Sequence, residues 1–124
     1  VIRSVVRDLN IKCDVRGVPT VRNEMGLALS SRNSRLSPDH LEQASSIHLL
    51  LRDIADNCRA NNSEASSIKK GFTSEIESRT AAVVEYVEIV DSVTLQPVPD
   101  AHKGTTICVA VWFDDVRLID NISI

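Results

Sequence analysis

A chain of 124 residues with 43% hydrophobic content is long enough to bury one modest core and too short for two complete domains. Fourteen lysines and arginines against 17 aspartates and glutamates leave a net charge of −3, interspersed along the chain, so no basic field exists to attract a nucleic-acid backbone or an anionic membrane. Only 3% of the residues are aromatic, too few for a base-stacking platform, and any phosphate binding must be local.

No apolar run is long enough to span a bilayer, and no leader or lipidation motif is present, so a cytoplasmic location is expected. Cys13, Cys58 and Cys108 are odd in number, widely spaced and set in apolar patterns, which predicts free, buried thiols. His40, His48 and His102 show no ligand spacing with them or with paired carboxylates, so no metal site is expected.

The chain opens inside a helical pattern, Val1, Ile2, Val5, Val6 and Leu9, with no capping residue before it, and reads as a piece of a longer polypeptide. Asn10 is its stop. Alone, a helix under roughly 12 residues is marginal in water, so this one must dock or fray. Ile11, Cys13 and Val15 then alternate with Lys12, Asp14 and Arg16, the period of a strand with one buried face, and Gly17-Val18-Pro19 ends it. Helix followed by strand is the unit of an α/β sheet, so residues 1–20 are expected to be the last fragment of a nucleotide-binding α/β domain, and residues 21–124 a separate unit.

Gly26-Leu27-Ala28-Leu29-Ser30-Ser31-Arg32-Asn33 stands between that segment and the next helix. Two adjacent hydroxyls, the backbone N–H groups of a glycine-opened turn and a permanently charged guanidinium form the donor set of a phosphate grip. It is neither a Walker loop, because no Gly-Lys-Ser/Thr follows, nor a G-x-G-x-x-G turn. Its alternative reading is a surface loop whose serines satisfy their own backbone.

Ser37-Pro38-Asp39 predicts a helix start, with serine as cap, proline at the first position and aspartate on the dipole. Leu41, Ala44, His48, Leu51, Ala55 and Cys58, flanked by Ile47, Leu50 and Ile54, form a wide apolar stripe ending at Asn61-Asn62. His48 lies in that stripe and reads as a core-edge histidine with a local partner, since no carboxylate at helical spacing orients it. Ser63 is the expected cap of a second helix to about Arg79, with Ala65, Ile68, Phe72 and Ile76 inward.

The remainder reads as sheet: Val83 to Val90, then Ile107 to Phe113 as a middle strand covered on both faces, then Val116 to Ile119 after an Asp114-Asp115 turn. Two helices on a three-stranded antiparallel sheet make an α+β unit.

Gly17-Val18-Pro19-Thr20-Val21-Arg22, the turn Gly26 to Asn33, Leu36-Ser37 and the closing Arg117-Leu118-Ile119-Asp120-Asn121 together resemble the pantothenate synthetase (pantoate–β-alanine ligase) family. The resemblance runs from the first residue to the last. It implies that residues 1–20 are the final helix and strand of a truncated Rossmann-like domain and residues 21–124 a C-terminal lid, with the His-x-Gly-His and Gly-x-Lys-Asp stretches of the family missing. The implied reaction joins ATP and pantoate into pantoyl adenylate and pyrophosphate, after which β-alanine displaces AMP.

By the same resemblance, Leu29, Ser30, Ser31 and Arg32 match the family's ATP-contacting turn. Val21, eight positions before Leu29, matches the position beside the adenine. Ser30 and Ser31 are the implied phosphate donors and Arg32 the charge clamp, with Mg2+ held mainly by ATP and the missing domain. Arg35 departs from the aromatic residue common at its position without touching the turn. Subunits of the family pair through the large domain, so an intact homodimer is implied, and no activity is expected of these residues alone. The competing expectation is a small non-catalytic α+β interaction domain with an ordinary Ser-Ser-Arg turn.

Overall fold

The computed structural model describes all 124 residues. The chain forms helix α1 (Ile2–Asp8), a 3-10 turn (Ser31–Arg35) and helix α2 (Pro38–Ala60). There follow a two-residue strand β1 (Ser63–Glu64), helix α3 (Ala65–Arg79) and strands β2 (Val83–Asp91), β3 (Asp100–Ala101), β4 (Thr105–Phe113) and β5 (Val116–Ser123). β2, β4 and β5 make an antiparallel sheet in the order β2-β4-β5, and β1 pairs separately with β3. The expected α+β unit of two helices on a three-stranded sheet is present.

α2 begins as its sequence requires. Ser37 accepts from the His40 N–H at 3.1 Å, with Pro38 in the first turn. Ala44, Ile47, Leu51, Ala55 and Cys58 are buried along one face. α3 buries Ala65, Ile68, Phe72 and Ile76, the four positions its pattern assigned. These two faces share one core with Ile89 of β2 and with Ile107, Val109, Val111 and Phe113 of β4. Alternate residues from one side of the sheet thus meet both helices.

Five expectations need correction: the Ser63 cap, the two covered faces of β4, the strand at residues 11–15, and the burial of Cys13 and of Cys108. Ser63 does not cap α3: it pairs with Ala101, and the Ala65 N–H is satisfied by the Pro99 carbonyl at 2.8 Å, so neighbouring backbone replaces a side-chain cap. β4 is central, but its second face is covered only in part, Ala110 being buried there. Thr106, Cys108 and Trp112 on its other face are half-buried, which leaves Cys108 less enclosed than predicted. Residues 11–15 form no strand, because a strand's backbone groups need a neighbour and none lies beside them. Cys13, on that segment, is consequently exposed. α1 buries no residue, and its C-terminus closes with Asn10 at φ 50°, Asn10 N–H on Arg7 O and Ile11 N–H on Val6 O.

The segment after residue 20 is mounted on the edge strand β5. Arg22 forms a bridge with Ala28, and the Leu29 N–H donates to Val21 O at 2.9 Å, making residues 21–29 a small hairpin. Arg22 reaches from it to Asp120 on β5, Nη1 to Oδ2 at 2.7 Å and Nη2 to Oδ1 at 2.8 Å. His48 of α2 approaches the same carboxylate, Nδ1 lying 3.3 Å from Oδ2 without completing a hydrogen bond. His48 therefore sits at the core edge as expected, but its neighbour comes from a strand distant in sequence.

Gly26 closes the hairpin at φ 88°, a left-handed conformation that a side chain resists. A Cβ there would also meet His48 Cδ2 at 3.4 Å. Gly26→Ala is expected to lower stability by about 1–2 kcal/mol, read as a lower urea midpoint with unchanged m-value. Burial, and next the Arg22 guanidinium, hold the His48 pKa below its ordinary 6.5, against the pull of Asp120 and with a smaller push from Arg52. A histidine that binds its proton less readily when folded loses stability for the fold as pH falls through 6.5 toward its folded pKa. The expected slope is at most about 1.4 kcal/mol per pH unit, and denaturation series at pH 7 and pH 5.5 should show it flattened in His48→Gln.

Candidate functional site

The Ser-Ser-Arg turn is shaped by its own hydroxyls and amides. Ser30 Oγ accepts from the Arg32 N–H at 3.2 Å and caps the 3-10 turn, and Asn33 N–H returns to Ser30 O at 3.1 Å. Asn33 Nδ2 donates to Ala28 O at 2.9 Å, and Ser34 Oγ donates to Ser31 O at 2.9 Å. Asn23 Oδ1 accepts from the Leu27 and Met25 N–H groups at 2.9 and 3.1 Å, fixing the other side of the hairpin. A hydroxyl that accepts one hydrogen bond still holds its own proton for donation, so capping does not remove Ser30 from the donor set.

Ser30, Ser31 and Arg32 are all exposed. Between the turn and the edge of β5 lies a cleft of about 290 Å³, whose lining includes Leu27, Leu29, Ser30, Arg32, Asn33 and Asp120. Val21 and Ser31 lie outside that lining. Leu29 and Val21 are 60% and 64% exposed, as is Ile119 of β5 at 63%. The lining of the cleft is mixed, with apolar Leu27, Leu29 and Ile119 beside polar Ser30, Arg32 and Asp120.

The arginines around the cleft are not equivalent. Arg22 is committed to Asp120. Arg35 pairs with Asp115 at the β4–β5 turn. Arg117 donates twice to Glu85, Nε to Oε2 at 2.6 Å and Nη2 to Oε1 at 2.9 Å, and Glu85 also accepts from Trp112 Nε1 at 2.6 Å. Arg117 thereby holds the Glu85 carboxyl below the usual carboxylate range. Glu85 stands at the bulge where β2 shifts register between Val84 and Tyr86, which turns it toward Arg117. Arg32 alone among these four has neither an ion pair nor a side-chain hydrogen bond, so its planar fork remains available.

Sequence reasoning located the turn but assigned no role to Arg22 or Asp120. They stand 98 residues apart, and nothing local to either announces the other. Asp120 does fall within the closing Arg117 to Asn121 word, which was a signal that the segment carries more than strand pairing. The chain gathers no group of three or more His, Cys, Asp or Glu side chains that could hold a metal ion, and no helix is long and apolar enough to cross a membrane.

The sequence profile of the family described as pantoate-beta-alanine ligase matches residues 1–123. A pantothenate synthetase of Akkermansia muciniphila is 41% identical over 124 residues, which are all of this chain and 44% of that protein. The pantoate–beta-alanine ligase of Arabidopsis thaliana is 40% identical over 124 residues, 40% of its length. The crystal structure of pantothenate synthetase from Thermus thermophilus superposes with a TM-score of 0.82 at 36% identity, covering 99% of this chain and 44% of that one. A pantoate-beta-alanine ligase from Francisella tularensis, solved with beta-gamma ATP and beta-alanine, matches with a TM-score of 0.64 at 30% identity, over 98% of this chain and 38% of that one. The chain thus spans less than half the length of these relatives, and on a match that runs almost from end to end it belongs to the pantoate-beta-alanine ligase family.

Proposed function

We propose that this chain is the C-terminal portion of a ligase that condenses pantoate with β-alanine to pantothenate through a pantoyl-adenylate intermediate, and that its Ser-Ser-Arg turn grips the phosphates of ATP. Residues 1–20 are, in this reading, the end of the nucleotide-binding domain, and residues 21–124 the lid that closes over it. The family membership supports the reaction, and the Francisella relative, solved with beta-gamma ATP and beta-alanine, supports ATP and β-alanine as its substrates. The observation that carries the phosphate assignment is the unpaired Arg32. Three neighbouring guanidinium groups are neutralised by carboxylates while this one, beside two exposed hydroxyls and lining a cleft of mixed polar and apolar side chains, is not.

Adenylation releases pyrophosphate, so negative charge grows on the leaving phosphates. Donors fixed in advance and aimed at those oxygens lower the barrier because they need not reorganise as charge develops. Arg32 supplies a planar, permanently charged fork, and Ser30 and Ser31 supply hydroxyl donors. Leu29, apolar and exposed in the lining of the cleft, walls the nucleotide, and Val21, paired with it through the hairpin but outside that lining, stands on the adenine side. Mg2+ would be held mainly by ATP and by the domain this chain lacks, and would offset the charge of the triphosphate there. The β-alanine amine then attacks the acyl adenylate, a step for which this turn provides no base.

In the intact ligase, Arg32→Ala is expected to slow adenylate formation by roughly 2.7–4 kcal/mol of barrier, the size found when one transition-state donor is removed. Single-turnover pyrophosphate release measures it, and an unchanged rate would make the turn an ordinary surface loop. The 124-residue chain alone is expected to form no pantothenate and to bind ATP weakly. Amide shifts across Gly26 to Asn33 during titration with ATP and with inorganic phosphate separate a nucleotide site, which prefers ATP, from non-specific anion binding, which does not.

A further inference from the structure

We propose that Arg22 and Asp120 are positioning residues for adenylation: their part-buried ion pair latches the 21–29 hairpin to the edge of β5, and so fixes where Ser30, Ser31 and Arg32 stand. The inference rests on the phosphate reading above. The Arg22 side chain is 19% exposed and the Asp120 side chain 9%. The guanidinium donates to both carboxylate oxygens, at 2.7 and 2.8 Å, and a further bond from Nη1 to Gly26 O at 3.1 Å ties the turn of the hairpin to the same group. Asp120 Oδ1 also accepts from the Asn121 N–H at 2.8 Å, on the edge strand. The ion pair therefore joins strand, hairpin stem and hairpin turn, the carboxylate holding the strand and the guanidinium the turn.

The hairpin leads straight into the donors. Its last backbone hydrogen bond, Leu29 N–H to Val21 O, lies one residue before Ser30. Nothing else that pairs with a charged partner holds this end, since the other latch, Arg35 to Asp115, is exposed and lies beyond the turn. An ion pair withdrawn this far from water is a poor source of net stability, because desolvation offsets much of the attraction. Its planar two-point geometry, in contrast, restricts both the distance and the angle between hairpin and strand. Arg22→Lys keeps the charge and discards that geometry, which makes it the discriminating change.

The test is made in the intact ligase with Arg22→Lys, Asp120→Asn and Arg32→Ala, all measured by single-turnover pyrophosphate release at saturating ATP and pantoate and again for the β-alanine half-reaction. Arg22→Lys is expected to lose on the order of 100-fold in the first step, the loss that a displacement of about 1 Å produces, with the KM for β-alanine unchanged. Hydrogen exchange at the Leu27 and Leu29 amides should quicken in the same variant. Should Asp120→Asn fail to fold, Arg22→Lys decides alone. Wild-type adenylation in Arg22→Lys, or a loss that vanishes once the rate is expressed per folded molecule, overturns the positioning role. A neutral Arg32→Ala would instead sink the phosphate reading, and this inference with it; a slow Arg32→Ala beside a neutral Arg22→Lys sinks the positioning role only.

Discussion

The Arg22–Asp120 ion pair joins two ends of the molecule that otherwise meet through the buried Leu27 and the exposed Arg35–Asp115 pair. On one side is a short hairpin, too small to hold its own shape in water. On the other is the outermost strand of the sheet, whose unpaired edge would otherwise face solvent. Setting two charges into the space between them is costly, and the arrangement is tolerable because the carboxylate is well supplied with donors, two from the guanidinium and one from the Asn121 backbone. His48 comes third to this cluster. It contributes an apolar ring edge against Gly26 and remains short of a proper hydrogen bond, so burial and the guanidinium prevail over the carboxylate in setting its protonation.

What the amino-acid order revealed, and what it concealed, divides by range. α2 was legible because its signals are local: a serine cap, a proline in the first turn and an apolar face repeating every three or four residues. The inward face of α3 was legible for the same reason, but its start was not, since the Ala65 N–H is satisfied by Pro99 from a distant loop. The alternation at residues 11–15 is real in the sequence and produces no strand, because alternation selects a face only when a neighbouring strand supplies hydrogen bonds. For β4 the continuous apolar run suggested two covered faces. One of its faces meets the helices, and the other carries Cys108 and Trp112 only half-covered, Trp112 being occupied by Glu85.

The site shows the same division. A glycine, two serines and an arginine at close spacing describe a set of donors whatever the fold, so the turn could be picked out early. The exposure of all three donors and the adjoining cleft were beyond reach of spacing. So was the fate of the surrounding arginines, since it depends on carboxylates contributed by β2, by the β4–β5 turn and by β5. The closing word Arg117 to Asn121 combines two such partners: Arg117 looks across the sheet to Glu85 while Asp120 looks the opposite way to Arg22, as the two-residue period of a strand requires of positions three apart.

This disposition of charge bears on how a chain of net charge −3 could favour an anion at all. A general positive field is absent, so attraction must come from individual groups at short range, where the surrounding negative charge counts for little. Each neutralised arginine in the neighbourhood serves as a strut, because a guanidinium bonded to a carboxylate fixes geometry and cancels its own field. An unpaired guanidinium does the reverse: it keeps its charge and its freedom. In the proposed role both kinds are needed together, struts that set the height of the turn over the cleft and one open fork that meets the phosphate there. If Arg32 had a carboxylate beside it, an incoming nucleotide would first have to displace that partner, and much of the attraction would be spent before any charge developed on the leaving pyrophosphate.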